Sequence, residues 1–188
     1  MELYIKNMVC DRCILIVRQE LEKLGLQVKE IALGKVELHS APSPDQLHKF
    51  AVSLQALGFE LIDKHKNQLV ELVKAKVIER VHHSPLHGLS ESLMQLVAKD
   101  LNKEYAYLSR LFSEVEGITV EKYVIQQKVE KVKELLEYGE LNLNEIAFKM
   151  GYSSAAHLST QFKSLTGISP SSYKANTNHD RKPLDRVH

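Results

Sequence analysis

Three things are scarce in this sequence: cysteine, charge of one sign and long apolar runs. Its 188 residues contain two cysteines, so neither a disulfide scaffold nor a four-cysteine zinc site can form. No apolar run approaches the ~20 residues needed to cross a membrane. The net charge of +1 excludes the strong basic excess that many nucleic-acid-binding proteins show. With 44% hydrophobic residues, the composition favours two small water-soluble domains.

The first residues, MELYIKNMVC, show no secretory signal. We therefore expect a cytoplasmic protein, where both thiols stay reduced.

An internal repeat is the strongest positive feature of the chain. Residues 107–123, YLSRLFSEVEGITVEKY, recur fifty positions later as residues 157–173, HLSTQFKSLTGISPSSY. The identical pairs are Leu108/Leu158, Ser109/Ser159, Phe112/Phe162, Gly117/Gly167, Ile118/Ile168 and Tyr123/Tyr173. Residues 93–101 and 143–150 precede the copies with the apolar spacing of a helix. Each copy is therefore predicted to be a helix-turn-helix unit, whose second helix can enter a DNA major groove.

The turn within each helix-turn-helix unit, and the segment between the two units, carry residues that favour these structures. Asn102 tolerates a left-handed conformation or caps the next helix, and Gly151 followed by Ser153 offers a positive-φ residue and then an N-cap. Between the copies, the sequence predicts one helix from Val120 to about Tyr138, after Thr119 and before Gly139. A helix of this length is roughly 28 Å long, close to the ~34 Å between successive major grooves on one DNA face. One chain can then fill two grooves, so a dimer is not required, and both monomer and homodimer stay open.

Residues 67–174 resemble the DNA-binding domain of the AraC/XylS family of transcription regulators. The matching residues are Leu143, Glu145, Ile146, Ala147, Gly151, Tyr152, Ser153, Leu158, Ser159, Phe162, Lys163, Thr166, Gly167, Ile168, Ser169, Pro170 and Tyr173. The resemblance implies double-stranded DNA as a partner, RNA polymerase as a further candidate partner, and no enzymatic activity.

The resemblance also assigns residues to DNA. The first recognition helix would present Ala106, Ser109 and Arg110, and the second Ala155, Ala156, Ser159 and Thr160. Arg110 is the best base reader, because its guanidinium can take guanine O6 and N7 together. The second helix departs from the family, which often has an amide or acidic side chain near 154–156 and an arginine at 160. We expect it to discriminate bases less, with Gln161 and Lys163 on phosphates.

Residues 1–66 have a different pattern of apolar residues. Short β patterns and two amphipathic helices alternate in the order βαββαβ, the ferredoxin-like plan. The fold prediction is thus α+β: a ferredoxin-like domain over 1–66, an all-α domain with two helix-turn-helix units over 67–174, and a disordered tail over 175–188.

Cys10 and Cys13 are expected in the loop between the first strand and the first helix. Two thiols with this spacing can converge on one ion, and a helix N-terminus favours the thiolate. Two-thiolate coordination suits Cu(I), whereas Zn(II) is possible only with further ligands. The segment resembles the heavy-metal-associated domain of copper chaperones and metal-pumping ATPases, with Asn7 where that family usually has glycine. In that family Cys10 and Cys13 would be ligands, and Met8 would pack beneath the loop.

Other interpretations stay open for the same residues. The thiols can act as a redox switch or be inert, and His82, His83 and His87 can bind metal, although Pro85 and Gly88 favour solvated histidines in a loop. An Ada-type alkyl-transfer protein also joins cysteines to an AraC-like module, but it needs four zinc-binding cysteines. A metal carrier with a degenerate DNA-binding half is a further alternative. The prediction is a DNA-binding transcription regulator that responds to a soft metal ion, or to thiol oxidation.

Overall fold

The computed structural model describes residues 1–62, 65–88, 91–176 and 181–187, and its chain forms two compact units, Met1–Lys76 and Val77–His188. We refer to these as the N-terminal and C-terminal units. None of the helices within the described ranges combines the length and the apolarity needed to cross a lipid bilayer.

The N-terminal unit places four strands and two helices in the predicted order βαββαβ. The elements are β1 (Glu2–Lys6), α1 (Asp11–Lys23), β2 (Val28–Ala32), β3 (Lys35–Leu38), α2 (Pro44–Ala56) and β4 (Glu60–Leu61). The sheet order is β2-β3-β1-β4 with every neighbouring pair antiparallel, and Leu3 lies opposite Val36. Because successive strand residues face opposite sides, Leu3 and Ile5 of β1 point into the same core.

That core lies between the sheet and the two helices. Its fully buried members are Ile5, Val17, Leu21, Val36, Phe50 and Leu54. Their spacing in α1 and α2 is the helical spacing that the sequence predicts, whereas Leu57, the C-cap residue of α2, is 47% exposed. Leu57 is exposed because α2 ends at Ala56, so the chain turns away before another helical position can face the core.

Helix α3 (His65–His83) crosses from one unit to the other. The predicted boundary after residue 66 falls in its first turn, ten residues before the division at Lys76. The first part of α3 packs within the N-terminal unit: a Cβ at Gly34 would lie 3.6 Å from Ala75 Cβ. A sequence-based boundary misses this because the apolar pattern of α3 runs unbroken through both units.

The C-terminal unit is helical. After α3 follow α4 (Leu93–Asp100), α5 (Tyr105–Glu116), α6 (Val120–Tyr138), α7 (Leu143–Lys149), α8 (Ala155–Thr166), α9 (Pro170–Ala175) and a short 3₁₀ turn (Leu184–Arg186). We call α4–α5 the first helix pair and α7–α8 the second. Helix α6 spans the predicted nineteen residues and contacts α5, α8 and α9. Its start and end are set by Thr119, which accepts a hydrogen bond from Lys122 N, and by Gly139 at φ 70°.

Two predictions fail at the edges of this unit. His82 was expected in a solvated loop, but it lies half-buried in the last turn of α3, and its Nε2 is 2.9 Å from Gln127 Oε1 on α6. The helix runs further than expected because Pro85, which cannot continue it, comes only after His83.

The tail over 175–188 was predicted to be disordered, yet Ala175 ends α9 and residues 181–187 pack on α6. Arg181 Nη2 lies 2.8 Å from Glu134 Oε2, Lys182 N donates to Glu130 Oε2 at 3.1 Å, and Val187 is 3% exposed. Charge pairing and one apolar anchor hold this segment, and neither leaves a periodic pattern in the sequence. The remaining tail positions, 177–180 and 188, lie outside the described residues.

Candidate nucleic-acid interface and thiol site

The first helix pair is held at its turn by backbone geometry. Ser92 caps α4 and forms a reciprocal capping box with Gln95. Asn102 adopts φ 50°, the left-handed conformation expected of it, and turns the chain towards α5. Helix α5 then begins after Glu104, whose side chain makes no capping hydrogen bond. The N-terminus of α5 therefore keeps its first amide groups available to other acceptors.

The second helix pair is capped at both helices. Asn142 and Glu145 form a capping box at α7, with Asn142 N donating to Glu145 Oε2 at 2.7 Å. Ser154 caps α8 by accepting a hydrogen bond from His157 N at 3.1 Å. This corrects the prediction that Ser153 is the cap: the Ser153 hydroxyl instead lies 3.0 Å from His157 Nδ1. Either serine suits a cap, and only the backbone conformation decides between neighbours.

Gly151 fixes the turn of the second pair for two reasons. Its φ is 67°, and a Cβ placed on it would lie 2.9 Å from the backbone oxygen of Leu86. Any side chain here would strain the backbone and also collide with a carbonyl group that cannot move aside.

The repeated aromatic residues set how α5 and α8 sit. Phe112 of α5 packs on Tyr123 of α6 with ring centroids 5.3 Å apart, and Phe162 of α8 packs on Tyr173 of α9 at 5.6 Å. All four side chains are buried. The two copies thus fix their second helices through the same contact, which leaves the opposite helix face open.

That open face carries the residues predicted to touch DNA. Ala106, Arg110, Ala156, Thr160 and Lys163 are exposed, and Ser109, Ala155, Ser159 and Gln161 are half-buried. Arg110 makes no ion pair with any other described residue, so its guanidinium is available. The Thr160 hydroxyl donates to Ala156 O at 3.0 Å, which leaves only its acceptor lone pairs for a ligand.

The two thiols of the N-terminal unit face each other. Cys10 is the N-cap residue of α1, Cys13 is the third residue of that helix, and their Sγ atoms lie 3.6 Å apart. The pair was predicted to lie in a loop before the helix; α1 instead begins at Asp11 and includes Cys13. Cysteine is not among the usual capping residues, so the sequence gives no signal for this early start.

Burial raises the pKa of the Cys13 thiol above its ordinary value. Hydrogen bonds from the backbone at Val9 and Cys10 act in the opposite direction but do not outweigh burial. The backbone at the start of α1 thus favours the thiolate of Cys13 as expected, but burial outweighs that contribution. A bound cation would be needed to hold this sulfur deprotonated at neutral pH.

The loop before the thiols is built by two residues. Asn7 adopts φ 71°, so it fills a left-handed position where glycine is the usual choice, and its Nδ2 donates to Gly58 O at 2.9 Å. Met8 is 3% exposed within the core. Its side chain is thus directed into the protein interior.

These residues fit a soft ion held by two sulfurs. Both Sγ atoms are half-buried on the same side of the loop, close enough to contact one ion together. Among the described residues, no three His, Cys, Asp or Glu side chains come together as a metal-binding group. The pair by itself thus supplies two of the four ligands that tetrahedral zinc takes.

Sequence reasoning missed two features of the C-terminal unit. One is the contact of the half-buried His82 with Gln127; partial burial lowers the pKa of His82 to about 4. The other is Lys128, which lies half-buried on α6 with its Nζ 5.1 Å from the centre of the Tyr152 ring. A lysine among the apolar positions of α6 is the only signal that the sequence offers for it.

Comparison with known proteins agrees with the helical geometry. Residues 97–176 match the family described as helix-turn-helix domain. This span includes most of the first helix pair and all of the second. The C-terminal unit thus contains a helix-turn-helix domain.

Several named relatives are regulatory proteins. The Msm operon regulatory protein of Streptococcus mutans is 31% identical over 123 residues, covering 64% of this chain and 44% of that protein. The uncharacterized HTH-type transcriptional regulator YdeC of Bacillus subtilis is 22% identical over 148 residues, covering 79% of this chain and 50% of that one. The chain thus spans about half the length of these relatives.

One solved structure is similar in fold to this chain. The C-terminal domain of AraT, a response regulator from Geobacillus stearothermophilus, is similar with a TM-score of 0.52 and 28% identity. The match covers 66% of this chain and 98% of that domain.

Proposed function

We propose that the protein is a sequence-specific DNA-binding transcription regulator and has no catalytic activity. The observation that carries this is the repeated packing of Phe112 and Phe162, which leaves the outer faces of α5 and α8 free. On α5, Arg110 is the base reader, flanked by Ala106 and Ser109. RNA polymerase is a further partner of a transcription regulator.

The second helix pair contributes affinity and register more than base discrimination. Ala155, Ala156 and Ser159 offer small contacts, Thr160 has its hydroxyl proton engaged with its own helix, and Gln161 and Lys163 are placed for phosphates. Two helix pairs in one chain make a monomer sufficient for two grooves, although a homodimer is compatible with the same surfaces.

Selection of bound duplexes from a random library tests the DNA-binding proposal. We expect enriched sequences with two elements about 10 base pairs apart, the spacing of successive major grooves on one face. One element should be well defined and the other degenerate. Recovery of no common sequence by the intact chain would contradict the proposal and favour a degenerate DNA-binding half.

We further propose that the N-terminal unit is a ferredoxin-like, heavy-metal-associated-type sensor that binds Cu(I) through Cys10 and Cys13. Support comes from the antiparallel order β2-β3-β1-β4 and from the 3.6 Å separation of the two Sγ atoms. A soft monovalent ion is satisfied by two thiolates, whereas Zn(II) would recruit further ligands. The ion replaces two thiol protons and so changes the charge and order of the loop that leads into α1.

Metal content and DNA affinity test the sensor together. Protein purified under reducing conditions and loaded with Cu(I) should hold one ion per chain, and its affinity for the selected duplex should differ from that of the metal-free form. Cys10→Ser and Cys13→Ser should each abolish loading and remove the metal effect. Equal affinities with and without Cu(I), in a protein that does bind it, would end the sensing role but not the metal site.

A thiol-redox regulator is the second candidate, favoured by the direct contact between the thiols. A disulfide needs the Sγ atoms to approach from 3.6 Å to about 2.05 Å. Peroxide in the presence of a metal chelator distinguishes the two candidates: a change in DNA affinity that dithiothreitol reverses supports the redox switch, and its absence supports the metal.

A further inference from the structure

A groove of about 710 Å³ runs along α6 between the two helix pairs of the C-terminal unit. This volume lies within the range of about 300–1,000 Å³ that small-molecule sites occupy. Its apolar wall is formed by Met94, Val124, Ile125, Phe148 and Tyr152. Phe148 is 66% exposed and stacks on His87, with ring centroids 5.0 Å apart and planes at 14°. The wall therefore presents flat aromatic surface to the groove.

Lys128 is the cation at the floor of this groove. Its amine lies over the Tyr152 ring and makes no ion pair with any described residue. Burial lowers the pKa of Lys128, and no neighbouring charge offsets the effect. A partly desolvated ammonium without a carboxylate partner is stabilised by any anion that enters the groove.

The acidic side chains that line the groove already have partners. Glu91 Oε1 lies 2.6 Å from Lys99 Nζ, and Glu121 accepts a hydrogen bond from the Tyr105 hydroxyl. Glu91 Oε2 is buried and accepts no hydrogen bond from the described residues. Lys128 therefore remains the one unpaired charge among the described lining residues, and a carboxylate with one charge matches it better than a phosphate ester with two.

We propose that this groove binds a small aromatic monocarboxylic acid, with its carboxylate on Lys128 and its ring against Phe148 and Tyr152. The groove shares no lining residue with the thiol pair or with the residues assigned to DNA. Tyr105, the first residue of α5, lines the same groove, so the ligand would contact the first helix pair directly.

Isothermal titration with 2-naphthoate and with its neutral analogue 2-naphthamide tests the proposal on the full chain without DNA. We expect naphthoate to bind at least tenfold more tightly than the amide, because only the carboxylate forms a charge-assisted hydrogen bond. Lys128→Met should reduce naphthoate affinity to that of the amide and leave amide binding unchanged. Lys174→Met, an exposed lysine on α9 outside the groove, is the matched control and should alter neither.

Phe148→Ala gives a second test. Because the Phe148 side chain is 66% exposed, its removal should leave the protein folded, and any change in ligand affinity reports on the groove. It should weaken both ligands by a similar factor. Equal affinities of naphthoate and naphthamide, or undiminished naphthoate binding by Lys128→Met, would overturn the proposal. A third result would also overturn the proposal: neither ligand binds, and Lys128→Met makes the salt dependence of DNA binding less steep. Lys128 would then contact a DNA phosphate and not a small ligand.

Discussion

The two helix pairs share one core and differ at the surface. Phe112 and Phe162 pack on equivalent tyrosines, with ring separations of 5.3 and 5.6 Å. In contrast, α5 presents the unpaired Arg110 and lacks a side-chain cap, whereas α8 presents Ala156 and Thr160 and is capped by Ser154. The repeat thus kept the residues that position a helix and varied those that meet a ligand. We infer that the first pair reads bases and the second pair holds the duplex.

The largest expected effect tests whether the two cores are equivalent. Phe112→Ala and Phe162→Ala each remove a buried ring, so each should lower the free energy of unfolding by about 3–5 kcal/mol. Urea unfolding followed by circular dichroism measures both. Phe148→Ala, at a largely exposed ring, is the control and should cost under about 1 kcal/mol. A strongly unequal pair of costs would show that one copy depends on its aromatic contact and the other does not.

The second effect is a loss of stability at low pH, caused by His82, which contacts Gln127 of α6. Helix α6 in turn contacts the second helix of both pairs. The pKa of His82 is lowered by burial from 6.5 to about 4, so the unfolded chain takes up a proton at higher pH than the folded protein does. Stability is therefore constant above about pH 6.5 and falls as the pH drops towards 4, by an amount on the order of 3 kcal/mol if this group acts alone.

Thermal unfolding at pH 7, 6, 5 and 4 measures this loss. His82→Gln, which does not titrate, should be less stable at pH 7 but should show a shallower decline. A decline of the same steepness in both proteins would assign the acid sensitivity to other groups, such as Glu134 beside Lys131 and Arg181.

The third effect is on base discrimination, and it rests on the proposed DNA binding. Arg110→Ala should cost about 1–3 kcal/mol of binding free energy for the selected duplex and relax the preference at one base pair. Thr160→Ala should change both quantities little, because its hydroxyl proton is already bonded to Ala156 O. Fluorescence anisotropy with the selected duplex and its single-base variants measures both. A larger loss of discrimination from Thr160→Ala would reverse the roles of the two pairs.

Much of the fold follows from sequence because helix ends carry local signals. Thr119 and Gly139 bound α6 at both ends, and the period of apolar residues defines the cores. The start of α1 at Asp11 was missed because Cys10 does not resemble a cap. The docked segment 181–187 was missed because Arg181 and Glu134 are far apart in sequence and neither belongs to a periodic pattern.

The candidate sites divide in the same way. Cys10 and Cys13 are close in sequence, so their convergence could be predicted, although the net rise in the pKa of Cys13 depends on burial that only the fold reveals. The groove around Lys128 combines residues from four helices and two connecting segments, and it has no sequence signature. Local motifs are therefore predictable, whereas sites assembled from distant segments require the tertiary structure.

The smallest expected effect tests whether capping differs between the N-termini of α5 and α8. Ser154→Ala removes the hydroxyl that accepts from His157 N, so it should lower the free energy of unfolding by about 1 kcal/mol. Glu104→Ala at the corresponding start of α5 should have almost no effect, because that side chain makes no capping bond. Ser153→Ala controls for the loss of a neighbouring hydroxyl and should cost a few tenths of a kcal/mol at most, since its contact with the His157 ring is exposed. Urea unfolding of the three variants measures the difference. Equal costs for Ser154→Ala and Glu104→Ala would mean that the two second helices begin with similar stability, and that the contrast between the pairs lies only in the side chains offered to DNA.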